Sequence, residues 1–98
     1  MPTYDKTDQF KGDYQALSPE ERQAFKRAVK KFVEDLPTGT FRVGLRVGGV
    51  RSGPPGVFEM TWEGKNGRAT FQYGYPIRPD EKHIVWRRVG GHAIFGDP

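Results

Sequence analysis

The fold of this chain is decided by residues 18–36, which read SPEERQAFKRAVKKFVEDL. Ser18 suits a helix N-cap, Pro19 suits the first helical position, and Glu21 completes an S-x-x-E capping box. After this start, apolar residues recur on one stripe at helical spacing, namely Phe25, Ala28, Val29, Phe32, Val33 and Leu36. Pro37 and Gly39 are typical of a helix end. The pattern predicts one amphipathic helix over this segment.

A shorter helix is predicted just before it. Phe10, Tyr14 and Leu17 share one helical face at i, i+4 and i+7, although Gly12 costs helix stability by about 1 kcal/mol. The two helices form a hairpin with their apolar faces turned the same way. A charged row follows another face of the longer helix, which we interpret as a solvated surface: Arg22, Lys26 and Lys30.

After Gly39 the apolar period drops from 3.6 towards 2, and glycine and proline become frequent. Four strands are predicted, roughly over residues 45–50, 57–62, 68–75 and 83–89. Residues 63–67 form a short hairpin connection with an Asn-Gly turn signal, and residues 75–80 form a loop because prolines disfavour a central strand. The predicted fold class is α+β, with an N-terminal helical hairpin (residues 1–38) packed on a four-stranded, mainly antiparallel sheet.

Strand parity sorts the side chains of the sheet into two faces. The apolar set is expected to pack on the hairpin: Leu45, Val47, Phe58, Met60, Trp62, Ala69, Phe71 and Tyr73. The opposite face is expected to present a polar set: Arg46, Glu59, Thr61, Arg68, Thr70 and Gln72. Such a face is a candidate site, and it is equally typical of the wet side of an antiparallel sheet.

Composition limits the class of protein. The 98 residues suit a single domain, 1–98, and the absence of cysteine excludes a disulfide framework, a thiolate zinc site and a cysteine nucleophile. No apolar run approaches the roughly 20 residues of a membrane span, and the N-terminus has no apolar stretch of a signal peptide. We therefore expect a cytoplasmic protein that does not enter a membrane.

The net charge of +4 lies entirely in the C-terminal part of the chain. Residues 1–40 hold seven basic and seven acidic side chains, whereas residues 41–98 hold nine basic and five acidic ones. Seven of these nine are arginines, whose planar guanidinium suits bidentate phosphate contacts and stacking on bases. Residues 41–98 comprise the sheet and the C-terminal segment with His92. We therefore expect this part of the chain to bind nucleic acid.

The C-terminal segment carries the second chemical signal. Gly90 and Gly91 follow the last predicted strand, and His92 comes immediately after them. An imidazole at that place can donate or accept a proton near neutral pH, or it can simply hydrogen-bond across a loop. His83 opens a strand and is expected at the surface. The two histidines lack a carboxylate cluster, so neither a metal nor another cofactor is expected.

The order of these motifs resembles the RelE/ParE superfamily of bacterial toxins over nearly the whole chain. The residues that carry the resemblance read LSPEER, LRV, GVFEMTW, GRATF and WRRVGGHAIF. The ending GGHAIFG is similar to that of YafQ-like members, where the histidine is catalytic. The resemblance implies the toxin of a type II toxin–antitoxin system, an mRNA interferase that cleaves mRNA in the ribosomal A site without a metal.

The same resemblance implies roles for individual residues. Arg68 would stabilise phosphate charge, His92 would serve as the general acid, and Glu59 is the candidate base. Phosphate contacts are expected from four further arginines: Arg46, Arg51, Arg87 and Arg88. Members that use lysines in the second strand differ from this chain, which has Glu59 and Thr61 there. Glu59 could instead form a cross-strand ion pair with Arg68.

The resemblance to these toxins also implies partners. The targets would be mRNA and the ribosome, and a small acidic antitoxin would cover the polar face or the helical hairpin. Two alternatives stay open. One is a ParE-like toxin that inhibits DNA gyrase by binding, and the other is a nucleic-acid or protein-binding module without chemistry.

Overall fold

The fold, taken from a computed structural model, is described for residues 2–50, 53–63 and 66–98. Two helices pack on one face of a five-stranded sheet whose strand order is β1-β5-β4-β3-β2. The elements in chain order are β1 Thr3–Lys6, α1 Asp8–Ala16, α2 Pro19–Asp35, a 3₁₀ helix Val43–Leu45, β2 Gly48–Gly49, β3 Phe58–Glu63, β4 Gly67–Gly74, β5 His83–Gly90 and a second 3₁₀ helix His92–Gly96.

Helix α2 begins and ends where the sequence predicts. The Ser18 hydroxyl accepts from the Glu21 backbone N–H at 3.1 Å, and the Glu21 carboxylate accepts from the Ser18 N–H at 2.8 Å. This reciprocal capping box satisfies two backbone donors that the first turn would otherwise leave unpaired. Phe25, Ala28 and Phe32 are buried, so the apolar stripe faces the sheet as expected.

The helical hairpin is also confirmed. Thr7 caps α1 by accepting from the Phe10 N–H at 3.1 Å, and Phe10 is buried against the sheet. Arg22 on α2 donates to the carbonyl oxygens of Tyr14 at 3.1 Å and Gln15 at 2.7 Å. These bonds satisfy carbonyls at the C-terminal end of α1 and hold the two helices together.

The core is an aromatic cluster between α2 and the middle of the sheet. The Phe32 ring lies 5.0 Å from the Phe71 ring and 5.5 Å from the Trp86 ring, at tilted or edge-on angles that aromatic pairs prefer. Phe25 meets Trp86 edge-on at 5.6 Å. A chain in which 35% of the residues are hydrophobic therefore builds its core largely from aromatic rings.

The strand count differs from the prediction, because residues Thr3–Lys6 form an edge strand, β1, parallel to β5. The sequence concealed this strand because its side chains are mostly exposed and polar. His83 holds β1 in place: its Nδ1 lies 2.7 Å from the Thr3 hydroxyl and its Nε2 lies 3.3 Å from the Asp5 carboxylate. The expectation of a surface His83 is wrong, since the residue is 6% exposed.

The first predicted strand, residues 45–50, is largely absent. Val43–Leu45 form a 3₁₀ helix that buries Leu45, and Arg46 then adopts a left-handed conformation with φ +46°. A two-residue strand, Gly48–Gly49, is what pairs with β3. Glycines supply no side chains to pack against a neighbouring strand, which explains why the ladder stays this short.

The other three predicted strands are confirmed with shifts of about one residue at their ends. Strands β3, β4 and β5 run antiparallel to their sequence neighbours, with irregularities after Thr61 in β3 and after Trp86 in β5. The region 75–82 contains no strand or helix, as its prolines predicted. Part of the predicted 63–67 hairpin turn, residues 64 and 65, lies outside the described residues. None of the helices in the described ranges is long and apolar enough to span a bilayer.

An arginine clamp closes the C-terminal end of α2. Arg42 donates from Nε to Asp35 Oδ2 and from Nη2 to Asp35 Oδ1, both at 2.8 Å. The Arg42 backbone N–H donates to Asp35 Oδ2 as well, at 2.9 Å. These hydrogen bonds lower the pKa of the Asp35 carboxyl from its usual 3.8 to about 2.

The contact between Asp35 and Arg42 predicts that the folded protein loses stability at acidic pH. Between pH 4 and pH 2 the unfolded chain protonates at Asp35 while the folded chain keeps the carboxylate, so stability present above pH 4 falls as the pH drops. We expect Asp35→Asn to remove this part of the decline, measured as the urea midpoint at pH 6 and pH 2.5. Asp80→Asn, at an exposed carboxyl, is the control. Equal pH slopes for the parent and Asp35→Asn would contradict the clamp.

Candidate active site

Three strands meet at one corner of the sheet. Arg68, near the start of β4, pairs with Thr61 of β3 on one side and with Gly90 at the end of β5 on the other. His92 begins the second 3₁₀ helix, two residues beyond Gly90. Residues that are more than 20 positions apart in the chain therefore share one end of the sheet.

Arg68 is the most enclosed charged residue of this corner. It is 8% exposed, and its Nη1 donates to the Gly67 carbonyl at 2.9 Å. Its own carbonyl accepts from the Trp62 indole N–H at 2.8 Å. The backbone of Arg68 is thus fixed from the core side of the sheet. Its guanidinium places a positive charge where water is largely excluded, and such a charge acts more strongly than one in bulk solvent.

His92 is exposed, in contrast to Arg68. Its ring contacts Phe95 edge-on with the ring centres 5.8 Å apart. The helix that carries His92 is anchored by buried Ile94, which packs close to Gly90: a Cβ on Gly90 would lie 3.2 Å from an Ile94 methyl group. A glycine at position 90 therefore permits the approach that holds His92 at the corner.

Glu59 lies on the same sheet face as Arg68, one pair further along. It stands opposite Thr70 of β4 and Gly48 of β2 and is half-buried. In such a diagonal pair on neighbouring strands, the Cα atoms of the two residues lie about 7–8 Å apart. Within the described residues the Glu59 carboxylate makes no hydrogen bond or ion pair, so the cross-strand bridge to Arg68 is not formed.

The polar face is not the open surface that strand parity predicted. Thr61 and Arg68 are buried, and Thr70 is 0% exposed. The C-terminal segment lies across the middle of this face, where the Pro98 main-chain oxygen accepts from the Thr70 hydroxyl and from Arg87 Nε, both at 3.0 Å. Strand alternation correctly separates the two faces, but it cannot show that another segment covers one of them.

Arg87 and Arg88 lie beside a register irregularity between β4 and β5, where Arg88 pairs with Thr70 and Trp86 pairs with Phe71. Arg87 Nη1 donates to the Gln72 side-chain oxygen on the polar face at 2.6 Å. Arg88 donates from Nε to Asp13 Oδ2 of α1 at 2.6 Å and from Nη1 to the Asp97 carbonyl of the C-terminal segment at 2.9 Å. Both arginines therefore have hydrogen-bond partners within the fold.

The remaining predicted arginines lie apart from this arrangement or outside the description. Arg46 is exposed but belongs to the turn after the first 3₁₀ helix, so the strand parity that grouped it with Glu59 does not apply. Arg51 lies outside the described residues. In the part of the chain that the structure describes, no three His, Asp or Glu side chains are close enough to hold a metal ion.

The geometry offers specific chemistry at the corner. An exposed imidazole can exchange protons with a bound molecule, and buried Arg68 supplies a fixed positive charge at the same end of the sheet. The partner of Arg87, Gln72, has a structural role that sequence reasoning missed. The sequence did contain one signal for this role: Gln72 and Thr70 are two residues apart in β4, so both side chains point to the face on which Arg87 lies.

Comparison with known proteins identifies the fold through structure alone. No protein-family model matches the chain, and no curated protein matches it by sequence. The E. coli DinJ–YafQ toxin–antitoxin complex contains a chain with 14% identity and a TM-score of 0.66, matching 94% of this chain and 93% of that one. YafQ from E. coli strain BL21(DE3) gives 15% identity and a TM-score of 0.63, over 95% of this chain and 96% of that one.

A second group of similar structures belongs to RelE proteins. The RelB–RelE antitoxin–toxin complex from Methanococcus jannaschii shows 16% identity and a TM-score of 0.56, with 95% of both chains covered. The fold of this chain is therefore RelE/YafQ-like, with two helices on a mixed five-stranded sheet. The fold expected from the sequence motifs is confirmed, apart from the strand count.

The contact between Arg88 and Asp13 predicts that this arginine has a structural role. Asp13 also accepts from the Val89 N–H at 3.2 Å, and it raises the pKa of Arg88 by hydrogen bonding. We expect Asp13→Ala and Arg88→Ala each to lower the free energy of unfolding by about 1–3 kcal/mol, because each leaves a partly buried charge without its partner.

Urea denaturation of both single variants and the double variant measures this coupling. The double variant is expected to cost clearly less than the sum of the single variants. Arg78→Ala, at an exposed loop position, is the control and should change stability by less than about 0.5 kcal/mol. Additive losses would show that Asp13 and Arg88 act independently.

Proposed function

We propose that this chain is the toxin of a type II toxin–antitoxin pair and that it cleaves mRNA at the ribosomal A site without a metal ion. The observation that carries the proposal is the corner at which Arg68 pairs with Gly90 and exposed His92 follows two residues later. The RelE/YafQ-like fold over 94% of the chain supports it, because the similar structures include toxins bound to antitoxins. Its site of action would be the cytoplasm.

The proposed reaction is attack of an RNA 2′-OH on the adjacent phosphate. The O2′–P bond forms and the P–O5′ bond breaks, which leaves a 2′,3′-cyclic phosphate and a free 5′-OH. One group must take the proton of the 2′-OH, and another must protonate the leaving 5′-oxygen. We assign Glu59 as the base and His92 as the acid. The proton lost from the hydroxyl and the proton gained by the 5′-oxygen balance over the step.

Arg68 would stabilise the additional negative charge on the phosphorane. Because Arg68 as a residue is 8% exposed, its contribution would be mainly the field of a fixed charge at short range, and its Nη1 also donates to the Gly67 carbonyl. Among the other arginines, Arg46 is exposed and suits a phosphate contact, whereas Arg87 is already hydrogen-bonded to Gln72. We assign Arg88 to stabilising the contact between β5 and α1.

The test measures cleavage by purified protein on programmed ribosomes in buffer containing EDTA. His92→Gln is expected to lower the cleavage rate by about 10²–10⁴-fold, since that is the usual effect of removing a general acid. Arg68→Lys should keep part of the activity that Arg68→Ala loses, because it retains the charge. Glu59→Gln should lower the rate, because it removes the candidate base. Arg78→Gln is the control.

Thermal melting of each variant separates loss of chemistry from loss of fold. Full growth arrest by both His92→Gln and Arg68→Ala would overturn the nuclease assignment. DNA damage instead of halted translation after induction would favour a gyrase inhibitor. Induction without any toxicity would favour a binding module without chemistry.

An acidic antitoxin protein is the proposed partner, because similar structures are complexes of a toxin with its antitoxin. We expect the reading frame beside this gene to encode a short protein with a DNA-binding half and an acidic half. Co-expression of that protein should restore growth and co-purify with this chain. A variant of it that lacks the acidic half should do neither. Continued growth arrest despite co-expression of the intact protein would contradict this pairing.

A further inference from the structure

Four cations on α2 have no role in the fold. Lys26, Arg27, Lys30 and Lys31 are all exposed. Within residues 2–50, 53–63 and 66–98, none of them makes a hydrogen bond or an ion pair. In this they differ from Arg22, which binds the end of α1.

The arrangement of these cations opposes helix stability. Lys26 and Lys30 are four residues apart, as are Arg27 and Lys31, and like charges at this spacing repel each other. The acidic residues of α2 lie at its two ends, where Glu21 forms the capping box and Asp35 binds Arg42. Lys30 and Lys31 also have opposite charges at i+4, Glu34 and Asp35, but Lys26 and Arg27 have none at that spacing within α2. The middle of the helix therefore concentrates positive charge, which suits a polyanionic ligand.

One row of these cations borders a groove. Arg27 and Lys31 line a cavity of about 340 Å³ whose other residues include Gly44, Thr61 and Trp62. Thr61 is the β3 residue that pairs with Arg68, so one wall of the groove belongs to the strand pair that carries Arg68. A second cavity shares Trp62 and is lined by Gly67 and Gly91, the chain neighbours of Arg68 and His92, together with the carboxylates of Asp13 and Glu21.

We propose that the Arg27–Lys31 side of this groove binds the sugar-phosphate backbone of single-stranded RNA next to the candidate active site. The two cations lie about 6 Å apart along the helix axis, a spacing similar to that of successive phosphates. None of the exposed large hydrophobic side chains in the described residues lies on α2, so the helix offers charge and no apolar anchor; the exposed apolar residue near the groove is Val43, between Arg42 and Gly44. The solvated-surface interpretation of this helix is therefore incomplete.

This inference rests on the proposed function only for the identity of the ligand, and its test measures binding and not cleavage. The probe is a fluorescein-labelled single-stranded RNA with 2′-O-methyl groups throughout, which cannot undergo 2′-OH attack. The parent protein and the double variant Arg27→Gln/Lys31→Gln are compared by fluorescence anisotropy at several salt concentrations. Lys6→Gln/Lys11→Gln is the control, since it removes the same charge from β1 and α1.

Arg27→Gln/Lys31→Gln is expected to weaken RNA binding about tenfold and to reduce the slope of log K against log salt by about 1.4, because two phosphate contacts are lost. The control should weaken binding less than threefold. The melting temperature of Arg27→Gln/Lys31→Gln should stay close to that of the parent, since the variant relieves the Arg27–Lys31 repulsion and removes the Lys31–Asp35 attraction, which are of similar size. A loss of binding can then be separated from a loss of fold.

Equal weakening by both double variants would overturn the proposal, because it would show a general charge effect. Unchanged RNA binding by Arg27→Gln/Lys31→Gln would overturn it as well. Poly-L-glutamate of matched charge tests the competing class of ligand: if Arg27→Gln/Lys31→Gln loses that polymer but keeps RNA, the surface serves an acidic protein. If RNA binding depends on Arg27 and Lys31, the inference holds even when the protein does not cleave RNA.

Discussion

The packing of Phe32 of α2 against Phe71 and Trp86 of the sheet is the contact on which the structure depends. It fixes which face of β4 and β5 is the core. Because side chains alternate along a strand, the same contact assigns Arg68, Thr70 and Gln72 to the opposite face. A one-residue slip of β4 would exchange these two sets, burying charge in the core and exposing Phe71. The apolar core thus positions the candidate active site from behind.

Pairing with carboxylates divides the cations discussed above into two groups. Arg42 and Arg88 each bind a carboxylate that closes an element: the end of α2 for Arg42, and the contact of α1 with β5 for Arg88. The cations in the middle of α2 have no such partner in the described residues. A net charge of +4 alone cannot separate these groups, since it counts a clamped arginine and a free lysine equally. The contacts separate them, and they indicate where an anionic ligand can be held.

Glycine and the C-terminal segment shape the corner. Gly90 admits Ile94, which anchors the 3₁₀ helix that carries His92. The same segment then crosses the polar face, where its last oxygen accepts from Thr70 and Arg87. One stretch of chain therefore both presents the imidazole and covers the middle of the sheet, leaving Glu59 half-buried at the side of β2.

The sequence alone determined the helices, the three long strands and the separation of the two sheet faces, because capping and apolar periodicity are local properties. It missed β1, whose exposed polar residues carry no such period and whose place depends on His83, 80 residues away from Thr3. It also grouped Arg46 with Glu59, although a turn removes Arg46 from the strand. Tertiary structure decided that Thr70 is covered and that Arg88 binds Asp13 of α1 and the Asp97 carbonyl. These outcomes depend on which distant segment fills a given space, and no local pattern records that.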